Sequence, residues 1–153
     1  MSAIKPLSVR VVGRKMEHQF IYLGCFINSE ELDAAICGIR RKRLKREIQH
    51  PHITLSYRPE RVNRLMFGKL IHITIIGYGN DGMNEGLLVR LYSDDSDVQT
   101  MIEQVCVPHI TLSVSSDGKS LNTRYLSFES IVPVQLTGRF GGFTKYGRVV
   151  LKA

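Results

Sequence analysis

Tryptophan is absent from the chain and aromatic residues make up only 8% of it, so a broad stacking platform for single-stranded nucleic acid is not expected. Cysteine is scarce: Cys25, Cys37 and Cys106 are odd in number, scattered, and never paired as Cys-x-x-Cys. That pattern excludes a disulfide framework and the ligand spacing of a zinc site, and three reduced, buried thiols are expected. No motif asks for a metal or a cofactor. Long apolar runs are missing too, none approaching the roughly 20 residues of a membrane span. The start, Met-Ser-Ala-Ile-Lys-Pro, has neither the apolar stretch nor the cleavage site of a secretory signal, and a cytoplasmic location without membrane contact is expected. Acid is short relative to base: 14 Asp and Glu against 21 Lys and Arg leave a formal charge of +7. That balance favours anionic partners such as RNA, nucleotides or an acidic surface.

What the chain does have is a repeated hexapeptide. Pro51-His52-Ile53-Thr54-Leu55-Ser56 recurs as Pro108-His109-Ile110-Thr111-Leu112-Ser113. In a β-strand successive side chains face opposite ways. Each copy therefore puts His, Thr and Ser on one face and Ile and Leu on the other, the apolar face entering a core and the polar face lining a groove. At 153 residues, with 43% hydrophobic and 23% charged content, the chain is long enough for one globular domain, 1–153, that buries most of its apolar surface.

The surrounding pattern repeats as well. His18–Ile27 is rich in aromatic and β-branched residues and reads as a strand. Asn28 with Glu31 has the form of a capping box, followed at helical spacing by Leu32, Ala35, Ile36 and Ile39. Six basic residues between Arg40 and Arg46 extend this helix as a solvated face or as a phosphate-attracting rim, and Pro51 stops it. After a loop at 58–66, strands are expected over 68–78 and 86–92, with turn signals at Gly77–Gly82 between them. Ser96 with Gln99 caps a second helix to about Val105, and the second His-Ile-Thr strand follows. A polar loop over 115–122, a bent strand over 126–136 broken at Pro133, a glycine-rich loop over 138–143 and a last strand over 148–151 complete the chain, and residues 1–17 suggest one more short strand. Strand, helix, motif strand occurs twice, in 18–57 and 86–114. The fold class expected is α+β, a duplicated bilobal fold with two antiparallel sheets facing a central groove and helices outside.

Two imidazoles and two threonine hydroxyls on facing strands form a set suited to a phosphodiester. Imidazole titrates near neutral pH, so one histidine can take a proton from the attacking group while the other protonates the departing oxygen. Thr54 and Thr111, two residues beyond their histidines, can donate to the non-bridging phosphate oxygens. The catalytic candidates are thus His52, Thr54, His109 and Thr111. Ser56 and Ser113, one step further, are candidate substrate contacts, as are Tyr22, Phe143 and Lys145; Phe140 and Tyr146 lie in the same glycine-rich segment. A third His-x-Thr, His72-Ile73-Thr74, has no preceding Pro and no serine at the end, and reads as structural. His50-Pro51-His52 lacks the neighbours of a metal pair. Competing readings are a basic nucleic-acid-binding module without turnover, using the run at 40–46, and an inactive adaptor.

The paired His-Ile-Thr-Leu-Ser segments resemble the signature of the 2H phosphoesterase superfamily, two His-x-Thr/Ser motifs, one per lobe of a duplicated α+β fold. The likeness covers residues 18–114 in element order, and the stretch from His109 to Phe143 looks closest to small bacterial or phage members. It implies metal-free cleavage of phosphodiesters, with substrates among 2′,3′-cyclic phosphate RNA ends, cyclic phosphates of ADP-ribose, 2′-5′ oligoadenylates and cyclic oligonucleotides. The two histidines stand 57 positions apart, a tighter spacing than in many members, which bears on groove width.

Overall fold

The computed structural model describes residues 19–152; the strand expected within 1–17, and His18, lie outside them. Strand β1 (Phe20–Phe26) leads into helix α1 (Ser29–Ala35), then a short strand β2 (Arg46–Glu47) and the first motif strand β3 (His52–Tyr57). Strands β4 (Leu70–Asn80) and β5 (Asn84–Tyr92) form a hairpin, closed by Asp81, whose carboxylate accepts from the Met83 and Asn84 amides, and by Gly82 at φ 86°. Helix α2 (Ser96–Glu103), the second motif strand β6 (His109–Val114), the long β7 (Glu129–Thr144) and β8 (Val149–Val150) follow.

Each helix starts where a side chain satisfies its free amides. The Glu31 N–H donates to Asn28 Oδ1 at 3.0 Å, as the capping pattern requires. In α2 the cap lies one residue earlier than expected: Asp95, not Ser96, accepts from the Val98 N–H, and Gln99 reaches back to the Ser93 N–H. Leu32 and Ile36, and Val98 and Ile102, are four apart and buried. The basic run is not helical. Helix α1 ends at Ala35, and residues 39–45 cross as an irregular arm to the far edge of the sheet, where β2 pairs with β6. A buried ion pair, invisible in the local pattern, holds the arm there: Arg41 donates to both carboxylate oxygens of the fully buried Glu85, at 2.7 and 2.9 Å. Tyr78 and Ser113 donate to the same carboxylate.

The fold is α+β, and its strands form one antiparallel sheet of eight where two facing sheets were expected. The order is β2-β6-β5-β4-β7-β1-β3, with β8 on β7. The long strands β4 and β7 hydrogen-bond across the middle, so the two wings are continuous; the motif strands β3 and β6 approach each other without pairing. The glycine-rich segment 138–143 is strand rather than loop. Its glycines let neighbours close in: a Cβ on Gly142 would collide with the Phe20 ring, and one on Gly138 with Cys25 Sγ. Phe140 is fully buried, edge-on to Phe67, and Ile53, Ile71, Ile73, Ile75, Leu87 and Ile110 fill the core around it.

Outward from the central β4–β7 pair, the wings correspond bond for bond. Gly24 of β1 faces Thr54 and Leu23 faces Ser56, leaving Leu55 as an extra residue. In β5, Gly86 faces Thr111 and Glu85 faces Ser113, leaving Leu112 extra. Both motif strands thus carry a β-bulge at the same leucine. Three residues beyond each glycine, the Ile27 N–H donates to the Pro51 carbonyl and the Val89 N–H to the Pro108 carbonyl, both at 3.1 Å. A Cβ on Gly24 would sit 2.5 Å from the Ile53 oxygen, and one on Gly86 2.8 Å from the Ile110 oxygen. Gly24→Ala and Gly86→Ala are each expected to lower stability in urea titrations by about 1–3 kcal/mol, the usual cost of forcing atoms into a packed site. Gly38→Ala, with nothing within 4 Å of its Cβ position, should change it little.

Candidate active site

The two motif strands, close without pairing, border a cleft of about 570 Å³. His52, Thr54, His109 and Thr111 all line it. A main-chain carbonyl two residues upstream holds each imidazole: His52 Nδ1 lies 2.7 Å from the His50 oxygen, and His109 Nδ1 lies 2.8 Å from the Val107 oxygen. A carbonyl only accepts, so Nδ1 carries the proton in the neutral ring and Nε2 is left with a lone pair. The two halves fix the same tautomer in the same way.

Burial pulls both imidazoles below their ordinary value. For His52 the carbonyl opposes this, while the charges of His109 and His50 add to it. For His109 the carbonyl again opposes, and the Arg124 guanidinium adds to the depression. That each histidine feels a nearby cation, one of them the other histidine, marks the cleft as a place for negative charge.

Aromatic packing supports the first half. The Tyr22 ring stacks on His52 with centroids 4.6 Å apart and 23° between planes, and Phe143 stacks on Tyr22 at 5.3 Å. Burial raises the Tyr22 phenol, which stays protonated; its oxygen is 3.3 Å from His52 Nδ1. In the second half the support is polar. Thr111 is nearly buried, 2.7 Å from the Thr123 hydroxyl and 3.2 Å from the Ser120 carbonyl.

Of the other candidates from sequence, Tyr22 reaches the cleft and four do not line it. The bulges are the reason for the serines: an extra residue reverses the alternation beyond it. Leu55 and Tyr57, rather than Ser56, line the cleft, and Ser113 turns inward to donate to Glu85 at 2.6 Å. Phe143 stands behind Tyr22, and Lys145 lies over the exposed Tyr146 ring at 5.3 Å. His72 stacks on Tyr92 on an exposed stretch of sheet, away from the cleft. Of the cysteines only Cys25 is buried, its thiol pushed up to about 12 by burial; Cys37 and Cys106 are exposed, and Cys106 borders the cleft.

Sequence reasoning missed Arg124, Tyr57 and Leu121. Arg124 and Leu121 sit on a 3₁₀ turn, Ser120–Tyr125, that folds back over β6. The polar loop expected over 115–122 covers only the first half of this turn and Arg124 lies in no expected element; no local pattern says which loop returns to a site. Among the described residues no group of three or more His, Cys, Asp or Glu is placed to hold a metal ion, and no helix is long and apolar enough to cross a membrane.

Acid should unfold the protein in two stages. Both histidines titrate below 6.5 when folded, so below that pH the unfolded chain binds more protons and stability falls. Burial pushes the Glu85 carboxyl up, but Arg41, Ser113 and Tyr78 outweigh it and hold it below 4.5, so a second loss begins there. Urea midpoints across pH 3 to 8 should show both limbs, with the upper one flattened in a His52→Gln, His109→Gln double variant.

No protein-family model matches the chain, and no curated protein matches it either.

Proposed function

We propose that the chain is a metal-independent phosphodiesterase of the 2H type, with nucleotides carrying a 2′,3′-cyclic phosphate, or short 2′-5′ or cyclic oligonucleotides, as substrates. One observation carries the reading: both imidazoles and both threonines of the repeated hexapeptide border a single cleft, with each Nδ1 tied to a carbonyl. The reading includes a duplication of a strand–helix–strand unit across the sheet. The matched bulges, glycines and proline carbonyls of the two wings support it. A cleft of about 570 Å³ is within the range that holds a small ligand such as a mononucleotide or dinucleotide.

In the hydrolysis of a cyclic phosphate, the neutral histidine takes a proton from water through Nε2 as the water oxygen bonds to phosphorus. The protonated partner gives its proton to the ribose oxygen as that P–O bond breaks, and the proton inventory of the pair is restored by exchange. Arg124 and the threonine hydroxyls face the charge that builds on the non-bridging oxygens. The charge of a protonated His109 disfavours protonation of His52, which favours one protonated and one neutral imidazole, the state this chemistry needs. The same residues cover the charge changes without a metal ion.

Purified protein is expected to hydrolyse at least one member of a panel of 2′,3′-cyclic, 2′-5′ and cyclic nucleotides in the presence of a chelator. His52→Ala or His109→Ala should lower turnover by about 10²–10⁴-fold, the usual contribution of a positioned acid or base, and leave the fold intact. Because both imidazoles are depressed, kcat/KM should follow a bell whose maximum lies below pH 6.5. Full activity in either variant would end the proposal, and nucleotide binding without any turnover would favour a binding module instead. Arg124→Gln should lower kcat/KM by about 10–100-fold, as expected of a lost charge-assisted hydrogen bond.

A further inference from the structure

The wings match position for position, yet they support the site differently. Tyr22, opposite Tyr57 on β3, corresponds to Asn84, opposite Val114 on β6, by the same pairing that matches Gly24 with Gly86. Tyr22 packs on the histidine of its half. Asn84 is buried, 1% exposed, and serves the threonine of its half through an intermediary. Its Nδ2 spends one proton on the Lys119 carbonyl at 2.7 Å and the other on the Thr123 hydroxyl oxygen at 2.9 Å. Thr123 is fully buried. The 2.7 Å contact between Thr111 and Thr123 joins two hydroxyls that can each donate. Asn84 Nδ2 can only donate to Thr123, while the Ser120 carbonyl can take the Thr111 proton, so the arrangement that satisfies both hydroxyls has Thr123 donating to Thr111. Thr111 then holds one proton still to give. In the structure that proton has the longer contact to the Ser120 carbonyl, at 3.2 Å.

We infer that Asn84 and Thr123 are positioning residues of a one-way hydrogen-bond relay, Asn84 to Thr123 to Thr111, that presents the Thr111 proton to a substrate oxygen. The inference rests on the phosphodiesterase reading for what the substrate is. A hydroxyl that accepts one hydrogen bond becomes a stronger donor of the next, and here the orientation is set before substrate arrives, so little reorganisation is needed when charge develops. The relay also ties down the carbonyl of Lys119, at the start of the turn that carries Leu121 and Arg124 to the cleft. Among the described residues Thr54 has no such arrangement, Tyr22 standing at the place that matches Asn84. The two threonines of the repeated motif are therefore unequal, Thr111 being the oriented donor.

Thr123 offers a clean separation of polar role from packing. Its methyl group fills the space beside Gly86, where a Cβ would collide with it. Thr123→Val keeps that methyl and removes the hydroxyl; Thr123→Ser keeps the hydroxyl and removes the methyl. Thr123→Val is expected to lower kcat by about tenfold or more, approaching the effect of losing one transition-state donor, with KM changed less than about threefold. Thr123→Ser should stay within about threefold of wild type in both, and Thr111→Val should lose more than Thr54→Val. Equal losses in the two Thr123 variants, or no loss in Thr123→Val, would overturn the relay. A readout independent of variants and of turnover is the Thr123 hydroxyl proton of the wild-type protein in nuclear magnetic resonance. Slow exchange with water is expected, and fast exchange would overturn the relay. A wild-type protein that hydrolyses no phosphodiester would defeat the proposed function while leaving that measurement to decide the relay.

Discussion

The site depends on one steric fact, that the carbonyl of each motif isoleucine presses against a neighbour without a side chain. The Ile53 carbonyl lies against Gly24 and the Ile110 carbonyl against Gly86, and in both places a Cβ would come closer to the carbonyl oxygen than real carbon atoms do. Only there can the motif strand bulge while its neighbour stays in contact. The bulge sets what the hexapeptide displays: histidine and threonine before it reach the cleft, and the second-half serine beyond it turns into the protein. Without the bulge, strict alternation would have placed all three polar residues on one face.

A second constraint acts on the protons. The carbonyl held against each Nδ1 favours the charged imidazole, because it can only accept; burial and neighbouring positive charge favour the neutral one. Burial is the largest influence at both rings, so both imidazoles are held low. An anionic ligand works against that depression. On the proposed reading the cleft is thus set to gain protons as it gains substrate, and the basic composition of the chain is not what achieves this. Much of the run at 40–46 is spent internally: Arg41 on Glu85, Arg43 on Glu47, and Arg46 on the carbonyls of Ser115 and Gly118. The cation that matters is Arg124, outside that run.

How much of this was legible in the chain follows from the range of each interaction. Periodicity and capping act within a few residues, so β1, β3 to β6 and the start of α1 could be read directly, and the repeat placed His52, Thr54, His109 and Thr111 on equivalent strands. Long-range pairing is not encoded locally. The continuity of the sheet rests on β4 meeting β7, and the end of α1 on Arg41 finding a carboxylate 44 residues away. The glycines of 138–143 looked like a loop because glycine permits one, whereas here they admit the Phe20 ring and Cys25. The serines failed as site residues for a related reason: a bulge depends on what the partner strand lacks, and the partner is elsewhere in the sequence.

A repeated motif invites the assumption of a symmetric site, and the supporting residues argue otherwise. At matched positions the chain has Tyr22 and Asn84, and then Leu23 and Glu85. Tyr22 builds an apolar flank beside His52 and Leu23 packs in the core; Asn84 and Glu85 build a buried polar layer behind Thr111 and the arm at Arg41. An apolar flank controls an imidazole through desolvation, which sets how readily it holds a proton. A polar layer controls a hydroxyl through direction, which sets where its proton points. On the proposed reading the two halves therefore contribute different physics to one phosphate, proton affinity on the His52 side and donor geometry with a fixed cation on the His109 side. A reaction whose attacking and leaving oxygens lie on opposite sides of phosphorus is itself asymmetric. Divergence of the support residues around an unchanged hexapeptide is what would let a duplicated scaffold serve it.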